Sequence, residues 1–343
     1  MPRGTSLNFT GAHILSINQF QRQDVDCVFA VADQMEPYAL RKRVTRVLEG
    51  AILGNMFFEA STRTRVSFGS AFNLLGGEVR ETAGFENSAL VKGESLQDTA
   101  RVLSGFSDVN CMRHPQEGSV ADFAFASRVP VLNGGDGANE HPTQALLDLY
   151  TIRQEIAARG QSVDGLKIAM IGDLRHGRTV HSLSKLLSLY NNVQVILISP
   201  EELTLPEAIV EQMRSAGVQV TISHELTNSI VDVDIVYSTR IQEERFSTKE
   251  EADLYRGKFR LNQAIYTEFC QPNTVIMHPL PRDSRADANE LDSDLDNNPN
   301  LAIFRQADNG VLVRMALFAL VLDVADKVDE FSYDVRWYNS RQV

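Results

Sequence analysis

The chain is poor in cysteine: Cys27, Cys111 and Cys270 are its three, far apart and without CxxC spacing. That argues against a disulfide framework or a zinc module and fits reduced thiols in a cytoplasmic protein. A basic surplus is also missing. With 33 Lys and Arg against 45 Asp and Glu the formal charge is −12. Neither a nucleic acid nor an anionic membrane surface would find the positive field it needs, so any acidic ligand must be held by a local cluster. No long apolar run is present. The N-terminus MPRGTSLNFTGAHIL has no signal-type hydrophobic stretch, and nothing downstream approaches the ~18 apolar residues of a membrane span. Finally, no Gly-x-Ser-x-Gly elbow, Cys/His pair or His/Asp cluster of metal spacing points to a covalent nucleophile or a metal. The expectation is catalysis without metal or organic cofactor, by direct attack on a bound electrophile helped by orientation and electrostatics.

What is present is a long, regular alternation. At 343 residues and 43% hydrophobic composition, two domains are expected. From residue 51 onward apolar strand runs alternate with helical spacing. Strands are expected at 51–58, 78–82, 108–113 and 129–133, then at 167–171, 194–198, 219–222, 234–237 and 274–277. Helices are expected after Ser61, from Ser95 with a capping box to Asp98, from Thr143 to about Ala158, and from about Gly310 to Val324. This pattern predicts an α/β fold of two parallel-sheet domains linked by the long Thr143 helix, with the C-terminal helix returning to the first domain. The predicted division is 1–142 and 143–308, with 309–343 packing back on the first part. Residues 1–8 are expected to be mobile. The aromatic tail with Phe331, Tyr333, Trp337 and Tyr338 could dock or fray equally well.

Polar constellations follow the strands, where ligands bind in such sheets. In Phe57-Phe58-Glu59-Ala60-Ser61-Thr62-Arg63-Thr64-Arg65, hydroxyls and guanidiniums meet a helix N-terminus. Two Arg in a first turn oppose the helix dipole, so an oxyanion site explains them better than stability does. Ser61 is the expected N-cap. His141 and Gln144, three residues apart at the start of a helix, can address one substrate atom, and a neutral imidazole there suits carbonyl polarisation. A lone His is more often structural; its company argues otherwise. Arg113, Arg178 and Arg240-Ile241-Gln242 each follow a strand, and a planar guanidinium suits a carboxylate. In His278-Pro279-Leu280-Pro281-Arg282 the two prolines expose carbonyls able to receive an ammonium. Gly172-Asp-Leu-Arg-His-Gly177-Arg178-Thr179 is close to a phosphate-binding P-loop with Arg in the lysine place, which keeps an NTPase as the alternative class.

Together, Phe58-x-x-Ser61-Thr62-Arg63-Thr64-Arg65, His141-Pro142-x-Gln144 and His278-Pro279-Leu280-Pro281-Arg282 resemble the transcarbamoylases, over about residues 10–325. Pro279, where the ornithine branch has cysteine, together with Arg240-x-Gln242 and Lys92, places the resemblance with the aspartate carbamoyltransferase catalytic chains. The resemblance implies carbamoyl transfer from carbamoyl phosphate to L-aspartate in pyrimidine biosynthesis. Ser61, Thr62, Arg63 and Thr64 would meet the phosphate, and Thr64, Arg113, His141 and Gln144 the carbonyl. Arg178 and Arg240 would hold the aspartate carboxylates, with Gln242 assisting and the Leu280 and Pro281 carbonyls at its amine. Lys92, with Ser88, would reach a neighbouring chain's site, which implies a homotrimer and leaves room for a separate regulatory chain. A related transcarbamoylase with another amine acceptor and a non-catalytic paralogue remain open. A glutamate after Gln242, where a lysine is common, and the extended tail 327–343 depart from the pattern.

Overall fold

The computed structural model describes residues 6–84, 93–243, 246, 248, 250, 253–285 and 288–337. It divides into two compact units, Met1–Leu146 with Asn309–Val343, and Leu147–Asp308. In chain order the first stretch holds α1 (Arg22–Gln34), α2 (Glu36–Ala39), β1 (Arg43–Thr45), β2 (Ile52–Phe57), α3 (Thr62–Leu74), β3 (Glu78–Ala83), α4 (Leu96–Leu103), β4 (Val109–His114), α5 (Ser119–Ala126) and β5 (Val131–Asp136). Next come α6 (Pro142–Ala157), β6 (Lys167–Ile171), α7 (Arg178–Leu187), β7 (Gln194–Ile198), α8 (Glu207–Ser215), β8 (Gln219–Ser223) and β9 (Ile235–Ser238). The chain continues through α9 (Gln263–Phe269), β10 (Val275–Met277), α10 (Ile303–Val321) and β11 (Ser332–Asp334).

In the first unit four strands run parallel in the order β3-β2-β4-β5. Helices on both faces remove water from the central strand β4, and the edge strand β5 is closed along its outer side by backbone bonds with Ile14, so both are buried at every position. One face packs Met56, Phe58 and Met112 against Val120 and Phe123 of α5. On the other, Phe68 and Phe72 of α3 meet Phe318 of α10 edge to face, at centroid distances of 6.0 and 5.0 Å. Arg314 of α10 stacks over the Phe68 ring and donates to the Ser67 hydroxyl at 2.8 Å. The tail pairs with its own unit only through β11, antiparallel with β1 and with Tyr333 opposite Val44, while Phe331, Tyr333 and Trp337 stay exposed; Tyr338 lies outside the described residues. Ser6 and Leu7, inside the stretch expected to be mobile, are tied to the Asp24 carboxylate.

The second unit is a five-stranded parallel sheet in the order β10-β9-β6-β7-β8. Its core collects Ala169 and Ile171 of β6, Val236 of β9 and Ile276 of β10 with Tyr266, Leu291 and Ile303.

Both sheets reverse their winding once. In the first, β2 leads outward to β3 while β4 and β5 lie on its other side. In the second, β6 leads to β7 and β8 while β9 and β10 lie on the other. At such reversals the loops leaving the two adjacent strands diverge to opposite faces and open a crevice at the carboxyl ends. Those crevices lie beyond Phe57 and Arg113 in the first unit, and beyond Ile171 and Ser238 in the second.

Candidate active site

In the first unit the backbone of Phe58 continues the β2 pairing by donating to the Arg113 carbonyl at 2.9 Å. The chain then turns into α3. Ser61 occupies the N-cap position with non-helical φ of −163°, but its hydroxyl makes no cap bond. This corrects the expected cap: the first-turn N–H groups, which have no partner inside a helix, are not closed off by that hydroxyl. Thr62 and Arg63 are exposed; Ser61 and Thr64 are half-buried. Arg65 belongs elsewhere, 3.9 Å from Glu81, while its carbonyl accepts from the Asn55 amide.

Arg113, at the end of β4, is 8% exposed. Its Nε donates to Glu59 Oε2 at 2.9 Å and its Nη1 to the Gly134 carbonyl at 3.5 Å, which together orient the guanidinium. Beside it, burial holds the His114 pKa below its ordinary value. Its Nδ1 accepts from the Gln116 N–H at 3.1 Å, leaving the ring proton on Nε2. The loop before α6 is pinned by Asp136, which accepts from the Asn133 and Asn139 amides and the Glu140 N–H at 3.0–3.2 Å. Out of this loop come His141 and Gln144, 3% and 9% exposed, with Pro142 in the first turn of α6. Positive charge, hydroxyls and a helix N-terminus on α3 thus share one sheet's switch point with Arg113.

In the second unit Gly172 leaves β6 at φ +116°, and an added Cβ would lie 2.1 Å from the Thr239 carbonyl oxygen. Only glycine lets the two strand ends approach so closely. Asp173 is fully buried and accepts from the His176 N–H at 3.0 Å and the Gln242 N–H at 3.1 Å. Arg178 opens α7 and Arg240 follows β9, both half-buried. Arg240 donates to the Ile241 carbonyl at 3.0 Å. After β10, Leu280 stands at φ +58°, a region unfavourable for a residue with a side chain, followed by a cis bond to Pro281. Its N–H donates to His278 Nδ1 at 2.9 Å. The expected residues Arg178, Arg240 and Gln242 therefore gather around the β6–β9 switch point of this unit. Ser88 and Lys92 lie outside the described residues.

The family model for the aspartate/ornithine carbamoyltransferase carbamoyl-P binding domain matches residues 12–154, and that for the Asp/Orn binding domain matches residues 164–321. The chain belongs to the aspartate/ornithine carbamoyltransferase family. The aspartate carbamoyltransferase catalytic subunit of Saccharophagus degradans is 76% identical over 98% of this chain and 99% of its own length. That of Dichelobacter nodosus is 53% identical over 95% and 93%. Among solved structures, aspartate transcarbamoylase from Trypanosoma cruzi in complex with carbamoyl phosphate and aspartate is 38% identical, covers 93% of this chain and 99% of its own, and superposes with a TM-score of 0.84. The catalytic subunit of M. jannaschii aspartate transcarbamoylase is 41% identical, over 91% and 98%, with a TM-score of 0.81.

Membership of the carbamoyltransferases disposes of the P-loop alternative, and the geometry agrees. The loop after β6 turns its His176 N–H on its own buried Asp173 carboxylate, which also takes the Gln242 N–H from the loop after β9, and a buried acid there disfavours a phosphate. The glutamate that departs from the family pattern, Glu243, is held by Arg256 at 2.8 Å and by Arg285 at 2.5 Å. Arg285 also grips Asp283, whose carboxyl it holds down at about 2. Two supporting acids escaped the sequence reading. Asp173 shows itself there only as an anomaly in a P-loop pattern, and Glu59 only as a lone acid between a strand end and two arginines. Among the described residues no helix is long and apolar enough to cross a membrane.

Proposed function

We propose that the chain transfers the carbamoyl group of carbamoyl phosphate to the amino group of L-aspartate, giving N-carbamoyl-L-aspartate and phosphate, a step of pyrimidine biosynthesis. One observation carries this reading. Each unit has its polar residues at its own switch point, and the two sets differ in kind: hydroxyls, a helix N-terminus and guanidiniums in the first, two guanidiniums with exposed carbonyls in the second. The first set fits a phosphate joined to a carbonyl, the second a dicarboxylate carrying an amine.

In the first unit Ser61, Thr62, Arg63 and Thr64 bind the phosphate, and Thr64, Arg113, His141 and Gln144 surround the carbamoyl oxygen and nitrogen. In the second, Arg178 and Arg240 take the two carboxylates, Gln242 assists, and the Leu280 and Pro281 carbonyls accept from the amine. The neutral amine attacks the carbamoyl carbon through its lone pair, and negative charge collects on the carbonyl oxygen. Thr64, Arg113 and His141 stabilise that oxygen in the tetrahedral intermediate, each donor being worth about 10²–10³ in rate. The bond from carbon to the phosphate oxygen then breaks, and the departing phosphate takes the amine proton. No covalent enzyme intermediate is needed. Ser88 and Lys92 complete the site of a neighbouring copy in a cytoplasmic homotrimer, consistent with the free Cys27, Cys111 and Cys270.

The test is steady-state product formation with L-aspartate and, separately, L-ornithine. Arg63→Ala is expected to lower turnover about 10²-fold and raise the KM for carbamoyl phosphate. Arg240→Ala is expected to raise the KM for aspartate at least ~10-fold, leaving that for carbamoyl phosphate in place. Near-normal turnover in both variants, or turnover with ornithine, would sink the assignment.

A further inference from the structure

A chain of buried polar groups in the second unit runs from α6 to the His278–Pro281 segment. Asp148 of α6 is fully buried, as is Tyr237 of β9; Gln306 of α10 and His278 are each 1% exposed. The Tyr237 hydroxyl donates to Asp148 Oδ2 at 2.7 Å, and Gln306 Nε2 donates to Asp148 Oδ1 at 2.7 Å. Gln306 Oε1 in turn accepts from the His278 N–H at 2.9 Å, and His278 Nδ1 accepts from the Leu280 N–H at 2.9 Å. At the far end His278 Nε2 lies 2.6 Å from Glu290 Oε1, and Glu290 also receives the Asp283 N–H. The other end reaches Thr179, next to Arg178, whose hydroxyl contacts the Tyr237 oxygen.

The direction of this chain has one source. A carboxylate only accepts, so Tyr237 and Gln306 must each present a donor to Asp148. Gln306 therefore turns its nitrogen toward Asp148 and its oxygen toward His278. A reversed amide would set a donor against the His278 N–H, an unmade bond among groups closed off from solvent. A fully buried carboxylate is costly to keep for stability alone, since apolar residues of the same volume often do as well.

We propose that Asp148 is a positioning residue for the amino-acid half-site: by fixing the Gln306 amide it sets the backbone at His278 and hence the aim of the Leu280 and Pro281 carbonyls. The inference rests on the aspartate-site reading above. It places the determinant of amine orientation on α6 and α10, remote in sequence from the residues that touch the substrate.

A charge transposition tests it. Gln306→Glu puts two carboxylates face to face, which can coexist only by sharing one proton. Its KM for aspartate should rise at least ~10-fold at neutral pH and rise further as pH is raised, with the KM for carbamoyl phosphate unchanged. Adding Asp148→Asn matches donor to acceptor again along the Tyr237–Asp148–Gln306–His278 chain. The new amide nitrogen on α6 faces the carboxylate introduced on α10, the amide oxygen takes the Tyr237 hydroxyl, and the introduced carboxylate receives the His278 N–H. The double variant should return to within ~3-fold of the parent and lose the added pH dependence. Tyr237→Phe, which adds no charge, guards against a misfolded Q306E protein and should raise the aspartate KM by ~3–10-fold. An unchanged aspartate KM in Q306E or Y237F, or a double variant worse than Q306E, overturns the inference. If Arg240→Ala has lost aspartate affinity while Q306E has not, this inference alone fails; if Arg240→Ala is also normal, the site reading fails with it.

Discussion

Glu59→Gln is the most informative single change in the first unit. The bond between Glu59 and Arg113, at 2.9 Å, sits at the switch point itself, the arginine side chain 10% exposed and the acid 23%. A hydrogen bond to a charged partner is worth about 1.5–3 kcal/mol and a neutral one about 1. Glutamine keeps an acceptor at the same reach, so the variant loses only the difference, about 0.5–2 kcal/mol, of what holds the guanidinium in its orientation. If that orientation is used only as charge develops on the carbamoyl oxygen, the loss appears in kcat, as about a twofold to thirtyfold decrease.

An opposing effect exists, and the assay decides between them. Neutralising Glu59 removes a counter-charge and leaves Arg113 more strongly positive toward a developing oxyanion, which by itself would raise kcat. The unit's burial of Arg113 argues that geometry dominates, because a guanidinium free to turn gives up a preorganised donor worth about 10²–10³ in rate. Steady-state kinetics at saturating aspartate, with carbamoyl phosphate varied, reads the sign directly. Glu59→Ala, which removes the acceptor at Nε, should approach the larger loss, and its thermal midpoint should drop by roughly 2–4 °C per kcal/mol. A kcat unchanged within twofold, or raised, would refute the claim that Glu59 orients Arg113.

Three further outcomes follow from the same geometry. Gly172→Ala forces a Cβ to 2.1 Å from the Thr239 carbonyl and strains a φ of +116°, so the second unit should lose more than about 3 kcal/mol in denaturant unfolding; a loss under about 1 would contradict the close approach. His114 is held below its ordinary value of 6.5 by burial. The unfolded chain therefore binds more protons between the folded pKa and about 6.5, and stability falls as pH drops through that window; His114→Asn should flatten the slope, leaving the part due to the similarly buried His13. Replacing Arg285 by Met removes a shared partner of Glu243 and Asp283. The acid titration of Asp283 should then move up from about 2 toward ordinary carboxylate values, readable by carboxyl NMR.

Much of the fold is legible because strands covered on both faces by helices write themselves as short apolar runs, and each run here ends in a polar cluster. Ser61–Thr64, Arg113, Arg178 and Arg240 could be named on that basis alone. Strand order could not: β2 pairs with β4 across a helix, a strand and another helix, and no local pattern records the reversal that makes the crevice. The first fifty residues carry little signal because α1 is preceded by Gln21, a weak start signal, and its unbroken apolar run Cys27–Ala32 has no periodicity to tell helix from strand. The pairing of β1 with β11 rests on three residues from each of two segments far apart in the chain. Leu280 at φ +58° breaks a local preference outright, and an exception of that kind is readable only from what surrounds it.

Glu243 shows where that limit lies. As a residue it reads as a charge reversal beside Gln242, which is proposed to assist at the aspartate site, and a reversal there should disturb the loop. In the structure its charge is met by Arg256 and Arg285, which close on it from two separate segments. The compensation is tertiary and lies in residue pairs that spacing along the chain does not mark. The same holds for Asp148, whose partners Tyr237 and Gln306 stand on a strand and a helix far along the chain. The groups proposed to touch substrate follow local rules, since strand ends and helix starts must expose them. The groups that aim them obey the accounting of buried donors and acceptors, which only the folded chain completes.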